Sequence, residues 1–362
     1  MQSNKLRMAI RATAAAAILG TAAQAQAFNF SAGDVDASVY GYARLNMSYD
    51  MDENVADTVQ SGGFPTIPNN DVAEGHFGAS AAQSRLGVRA TNSDGVTVNV
   101  EGDFYGGNGF RLRHAYGSYK GILAGQTWSN YSSFVGNTPT LDFSSGPGLA
   151  GYQSRTAQLR YTTGPVSVSI EDPQTRGITD SRDSTPAFTA RFEDSAGGLS
   201  YSTAAVVKQG TSDDGTQDDS VMGYAVFGAA KLAVTNMISI QGAVNYSDGA
   251  NGYLYRSGGD DVYVDGNGDL ESLSGIGGAL GASFDLGSGR SINVMHGMTQ
   301  LDVDDLNDPN ATETNQATFV NYRWTPVKNV MMGVEYARWA TEDQGGDDAD
   351  ANRLMFAAQY NF

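Results

Sequence analysis

Arg353-Leu354-Met355-Phe356-Ala357-Ala358-Gln359-Tyr360-Asn361-Phe362 is the stretch that decides the fold. Leu354, Phe356, Ala358, Tyr360 and Phe362 fall on one parity. Arg353, Met355, Ala357, Gln359 and Asn361 fall on the other. Side chains of a strand point alternately to its two faces, so this is a strand with one apolar face. Chain ends usually fray in water. An apolar strand ending on Phe suits a chain whose apolar face meets lipid.

The same period runs back through the chain. Val39-Gly41-Ala43-Leu45-Met47 opposes Tyr40-Tyr42-Arg44-Asn46. Val96-Val98-Val100-Gly102-Phe104 opposes Thr97-Asn99-Glu101-Asp103, and Ile238-Ile240-Gly242-Val244-Tyr246 opposes Ser239-Gln241-Ala243-Asn245. Segments of about ten residues with this alternation are what tilted membrane strands need. Turns such as Asn92-Ser93-Asp94-Gly95, Lys120-Gly121 and Gly287-Ser288-Gly289 are short. The stretches 50–77, 132–152, 172–184, 209–220, 248–275, 302–314 and 341–351 read as long loops. Short turns on one rim and long loops on the other is the outer-membrane arrangement. The segments number about sixteen, an even count as bacterial barrels require. The fold class is therefore all-β, a transmembrane antiparallel up-and-down β-barrel. Registers in 199–234 and 276–300 stay open, because Gly and Ala occupy both parities. Tyr49, Tyr116, Tyr161, Tyr201, Tyr246, Trp324, Tyr336 and Tyr360 stand at strand ends, where interface girdles form. A soluble β-sandwich or β-helix also alternates, but predicts neither the loop rhythm nor the terminal Phe.

Composition agrees. The 362 residues include no cysteine, 45 glycines, 22 basic and 40 acidic residues, for a net charge of −18. Without cysteine there is no disulfide framework or thiolate metal site. The acidic excess argues against a nucleic-acid partner. Lys5, Arg7 and Arg11 precede an Ala-rich run, then Ala23-Gln24-Ala25 and Ala25-Gln26-Ala27. This is the pattern of a secretory signal peptide over 1–27, leaving 28–362 as the barrel domain. Losing its three basic residues takes the charge from −18 to −21.

The minority sign has a place. Arg44, Arg85, Arg89, Arg111, Arg113, Arg160, Arg191, Arg323 and Arg353 lie on the polar parity of strands, which faces the lumen of a wide barrel. The acids gather in the loops. A ladder of arginines along a pore selects anions, because the ion exchanges hydration for guanidinium contacts. The alternative is that lumenal acids (Glu101, Asp103, Glu171, Glu193, Glu335) pair with these arginines and only brace the wall.

Other chemistry is weaker. Asp265, Asn267 and Asp269 have the opening spacing of a calcium loop, but position six is Leu270 and position twelve is Ile276. A solvated acidic loop weakly holding divalent cations beside lipopolysaccharide is the competing reading, and no other cofactor is implied. The three histidines do not build an enzyme site: His76 is in a loop, and His114 and His296 fall on the outward parity. No Gly-x-Ser-x-Gly or His-Glu-x-x-His occurs.

Several stretches carry a resemblance. Gln83-Ser84-Arg85-Leu86-Gly87-Val88 before the Asp94-Gly95 turn looks like the second strand of many Gram-negative porins. Arg111-Leu112-Arg113-His114-Ala115-Tyr116-Gly117, Leu123-Ala124-Gly125-Gln126-Thr127-Trp128-Ser129, Pro139-Thr140-Leu141-Asp142-Phe143 and Gln158-Leu159-Arg160-Tyr161-Thr162 resemble the DcaP-like trimeric porins. The final aromatic resembles the assembly signal of outer-membrane proteins. The resemblance implies a sixteen-stranded homotrimer in the outer membrane of a Gram-negative bacterium, among lipids and lipopolysaccharide. It implies a third long loop (132–152) folded inward as a constriction, and passage of small anionic solutes, dicarboxylates among them. Carried over by position, Arg111, Arg113 and Arg160 line the pore and Asp142 sits in the constriction loop. One departure stands out. Some members have a helical coiled coil before the barrel, whereas here Phe28 to Asp36 leads almost directly into the first strand. The trimer is then expected to rest on the barrel walls. Two rivals remain: a non-selective general porin, and a barrel for surface binding (adhesin, phage receptor or envelope tether).

Overall fold

The computed structural model describes residues 27–362 apart from 53–54, 66, 68–74, 107–108, 178–181, 214–217 and 307. The expected signal peptide (1–27) lies outside the described residues except for Ala27. Sixteen antiparallel strands form the wall. They are β1 (Val35–Asp50), β2 (His76–Ser80 continued by Arg85–Asn92), β3 (Thr97–Asp103), β4 (Arg111–Tyr119), β5 (Ile122–Trp128), β6 (Arg155–Thr163), β7 (Val166–Glu171) and β8 (Ala187–Ala196). Then follow β9 (Leu199–Asp213), β10 (Asp218–Ala233), β11 (Ile238–Asp248), β12 (Ser274–Gly287), β13 (Arg290–Leu301), β14 (Thr312–Val327), β15 (Val330–Asp343) and β16 (Asp348–Asn361). Each pairs with the next, and β16 returns to β1 from Tyr42↔Asn361 to Asp50↔Arg353, so the sheet closes and leaves no edge.

The C-terminal Phe362 is built into that seam. The Phe362 N–H donates to Gly41 O at 3.0 Å, and the Gly41 N–H donates to Phe362 O at 3.1 Å. Below it, a short N-terminal strand, Phe28–Ala32, pairs with Val35–Val39 and continues the line that β16 leaves. The rim near Phe28 and Phe362 carries short turns. The other rim carries L1 (51–75), L2 (104–110), L3 (129–154), L4 (172–186), L5 (between β9 and β10), L6 (249–273), L7 (302–311) and L8 (344–347). Two expected long loops, 209–220 and 341–351, are instead mostly strand. Thr211↔Ser220 and Glu342↔Asp348 still pair, because a ladder needs only backbone partners and its polar tips project beyond the lipid.

The parity expected of the last strand holds. Leu354 and Tyr360 face outward, while Arg353, Met355 and Ala357 are buried within. The open registers of 199–234 and 276–300 resolve for a physical reason. From β9 onward the inner face is itself partly apolar. Val206, Phe227, Met295, Phe319 and Trp339 point inward and are buried. They pack against loop residues that enter the barrel: Phe64 and Ile67 of L1, Tyr131 and Leu149 of L3, and Tyr253 of L6. Phe64 and Phe319 meet the Trp339 ring edge-on at 5.1 and 5.2 Å. Each such side chain contributes about 1.5–3 kcal/mol through burial. Both faces of these strands are thus apolar, which is why alternation fades from the sequence there.

One register departs from expectation. A β-bulge lies where Glu101 opposes His114 and Gly102 opposes Leu112, leaving Arg113 as the extra residue. After it the parity of β4 inverts. His114 therefore turns inward and is buried, its Nδ1 3.0 Å from Thr127 Oγ1. Tyr116, expected in the outer girdle, sits opposite Asn99 on the inner parity. His296 faces outward as expected.

Candidate functional site: arginines around an inward loop

L3 leaves β5 at Ser129 and returns to β6 at Arg155. Between them it reaches the inner faces of β11, β14 and β15, across the ring from where it began. Gln241 Nε2 donates to Thr138 Oγ1 at 3.0 Å, and Asn245 Nδ2 donates to Gly148 O at 2.8 Å. Asn321 Nδ2 donates to Pro139 O at 2.8 Å. The buried Glu335 carboxylate accepts the Leu141 N–H at 2.7 Å and the Asp142 N–H at 2.8 Å. Near the loop's start, Glu171 accepts the Asn130 N–H at 2.7 Å and Glu193 accepts the Ser133 hydroxyl at 2.7 Å. Glycines make the seat. A Cβ on Gly297 would collide with Pro147 O, one on Gly281 with Thr138 Oγ1, and one on Gly333 would lie 2.8 Å from Leu141.

Three of the five lumenal acids (Glu171, Glu193, Glu335) therefore hold L3. The other two take arginines. Asp103 receives Arg111 at 2.8 Å and Arg113 at 2.8 Å; Glu101 receives Arg113 at 2.9 Å and Arg85 at 3.7 Å. Arg353 is fully buried and paired with Asp50 at 2.6 Å, so it braces the seam under L1. The strand arginines thus divide, residue by residue, between ion pairs and other partners.

The remaining arginines have no ion pair among the described residues. Arg44 donates to Leu141 O at 2.7 Å, to Asn46 and to Gln359. Arg160 donates to Gln158 and to Trp128 O, and Arg191 donates to Ser132 O. Such carbonyl and amide partners leave the positive charge uncompensated. Arg323 is half-buried near β15, and Arg89 is exposed.

Between the wall and L3 lies a space of about 280 Å³. Arg44, Arg85, Arg113 and Arg155 line it from the wall, and Phe134, Leu141, Asp142 and Phe143 line it from the loop. Arg85 and Arg113 lie 5.9 and 5.6 Å from the Phe143 ring centre. The carboxylate of Asp142, L3's sole acid, is spent on the N–H groups of Gly62, Ser144 and Ser145 at 2.8–2.9 Å. Burial raises its pKa above the usual carboxylate range, against the pull of Arg256 and the Gly62 N–H. The site therefore sets several guanidiniums against a loop face with no free carboxylate.

Alternation hides Arg155, which stands out of phase with Gln158 and Arg160, at the strand end where parity no longer governs. It hides Arg256 as well. This L6 residue donates to Ser145 O and Gly62 O and lies 4.6 Å over Trp339, tying L1, L3 and L6 together. Lys208, on the inner face of β9, is a third. It is fully buried, 2.5 Å from Asp261 of L6, and also holds Gln174 O of L4. No sequence pattern marks these two, since their partners are distant in the chain.

The possible calcium set has a local use. Asp265 accepts from the N–H groups of Asn267 and Asp269 and from Asn267 Nδ2, closing the turn between Val262–Val264 and Leu270–Ser272. Among the described residues no group of three or more His, Cys, Asp or Glu is placed to hold a metal.

The DcaP outer membrane protein family model matches residues 21–362. No curated protein matches the chain. Among solved structures, the outer membrane channel DcaP of Acinetobacter baumannii is similar over 93% of this chain and 99% of that one, at 28% identity and a TM-score of 0.82. An anion-selective porin from Comamonas acidovorans is similar over 91% of this chain and 100% of its own, at 14% identity and a TM-score of 0.62. OmpF of Salmonella typhi is similar over 92% of this chain and 100% of its own, at 13% identity and a TM-score of 0.59. The last two share the fold alone.

Proposed function

We propose, from the premise that this chain belongs to the DcaP outer membrane protein family and is an outer-membrane channel, that it passes small anions by diffusion and prefers them to cations. Carboxylates and dicarboxylates are the solute class. One observation carries the preference. Arg44, Arg85, Arg113 and Arg155 face the same gap, while the acids nearest to it are engaged on L3 or on Arg111 and Arg113. A guanidinium lining a narrow, water-poor passage attracts an anion more strongly than in bulk water. L3 sets the diameter, because its far end is pinned to β14 and β15 by Asn321 and Glu335. Residues 1–27 serve as the cleaved export signal. The working unit is a homotrimer held through barrel walls, set among outer-membrane lipids and lipopolysaccharide, with divalent cations weakly held by the acidic loops.

Liposome swelling tests the preference without a voltage. Liposomes carrying the protein should swell faster in a small dicarboxylate than in a diamine of the same length. Equal rates point to a non-selective porin, and no swelling in either points to a barrel for surface binding.

A further inference from the structure

Three arginines of the barrel interior present the same edge, Nε with Nη2, to different surroundings. In Arg111 that edge is closed by Asp103, at 3.0 and 2.8 Å. In Arg353 it is closed by Asp50, at 2.6 and 3.0 Å. In Arg155 both Nε and Nη2 are buried and meet no acceptor among the described residues. Arg155 is nonetheless held in place. Its guanidinium carbon lies 3.8 Å from the centre of the Trp128 ring, and that ring is packed edge-on by Phe134 at 4.9 Å. Arg155 lines the 280 Å³ space together with Arg85, whose Nε is likewise buried without an acceptor.

Buried donors without partners are rare, because each forfeits the hydrogen bond it made to water. The Nε–Nη2 edge is a planar fork that fits a carboxylate side-on, as Asp103 and Asp50 demonstrate within this same molecule. We propose that Arg155 is the carboxylate-docking residue of the channel. As a solute reaches L3, the guanidinium turns on its flexible stem from the Trp128 face. It takes the solute carboxylate on its Nε–Nη2 edge, with Arg85 Nε as a further donor. Trp128 is the positioning residue, holding the cation over its ring until an acceptor arrives. A chloride ion has no second oxygen to fill the fork. Halides therefore pass on charge alone, whereas carboxylates bind. This inference rests on the anion preference proposed above and adds a chemical choice among anions.

The test is single-channel recording of the full chain in planar bilayers carrying potassium chloride, with sodium acetate as the probe. Acetate should reduce the chloride current along a saturating curve, and extra chloride should not. Arg155→Lys keeps the charge and loses the planar edge. It should raise the half-saturating acetate concentration about tenfold, the loss of one charge-assisted pair of hydrogen bonds. Trp128→Leu leaves the guanidinium and removes its platform, and should weaken saturation about threefold. A wild-type current without saturation overturns the proposal, and needs no variant to fold. So does an Arg155→Lys channel that saturates as the wild type does. Either result leaves the anion preference standing. A cation-preferring reversal potential in the same recordings removes both.

Discussion

Glu335 offers the sharpest perturbation of the proposed constriction loop. Its carboxylate accepts the Leu141 and Asp142 N–H groups at 2.7 and 2.8 Å and Asn321 Nδ2 at 2.9 Å. Glu335→Gln keeps the volume and replaces one acceptor oxygen with an NH₂ group, which then faces a donor. At least one of the two backbone hydrogen bonds is lost. A hydrogen bond to a charged group contributes about 1.5–3 kcal/mol. The population of conformers with L3 off the wall should therefore rise roughly ten- to a hundredfold. The barrel ladder is untouched, since only side-chain acceptors change. The assay is single-channel recording at neutral pH, with heat-modifiable gel migration as the check that the barrel has formed. The expected record has a larger mean conductance and new sublevels as the loop leaves and returns. A folded Glu335→Gln barrel with wild-type conductance and an equally quiet trace would refute the assignment of L3 as the constriction and of Glu335 as its anchor.

Three further outcomes follow from the same structure. Gly297→Val places a Cβ against Pro147 O; it should displace L3 and change conductance while the outer ladder assembles, and an unaltered conductance would show that the loop is not seated there. Asp50→Asn leaves the fully buried Arg353 without its ion-pair partner, a loss of about 3–5 kcal/mol; the temperature of the heat-modifiable gel shift should fall, and an unchanged temperature would remove the seam brace. Asp142 supplies a pH dependence. Its pKa in the folded chain is raised by burial, so the folded chain takes up the proton more readily than the unfolded one. The group opposes folding at neutral pH, and that penalty fades as pH falls through the folded-state value. Asp142→Asn should flatten the stability curve above the ordinary carboxylate value, and a curve of wild-type slope would contradict it.

The barrel was legible because lipid on one face and lumen on the other impose period two on nearly every strand, most cleanly on Arg353–Phe362. It was least legible in β9, β10, β12 and β13. There Val206, Phe227 and Met295 face inward against the loops that enter the barrel, so the contrast that alternation relies on is missing. The bulge at Arg113 is invisible in sequence for a related reason. One extra residue shifts parity without changing composition, and it carried His114 and Tyr116 to the other face. The nine arginines were visible, but their division was not. Whether a guanidinium is spent on a carboxylate depends on cross-strand neighbours such as Asp103 beside Arg111, and on loop contacts such as Leu141 O beside Arg44. Arg155 escaped because it stands where the strand ends.

The central claim is that the arginines lining the gap beside L3 set the sign of the preferred ion. Its most direct test is the reversal potential of single wild-type channels in a potassium chloride gradient, followed by the same measurement after neutralising Arg44, Arg85 and Arg155 together. The wild-type potential should lie toward the chloride equilibrium value, and the triple variant should move it toward zero or beyond. A wild-type potential on the potassium side, or a folded triple variant with unshifted selectivity, would contradict the account.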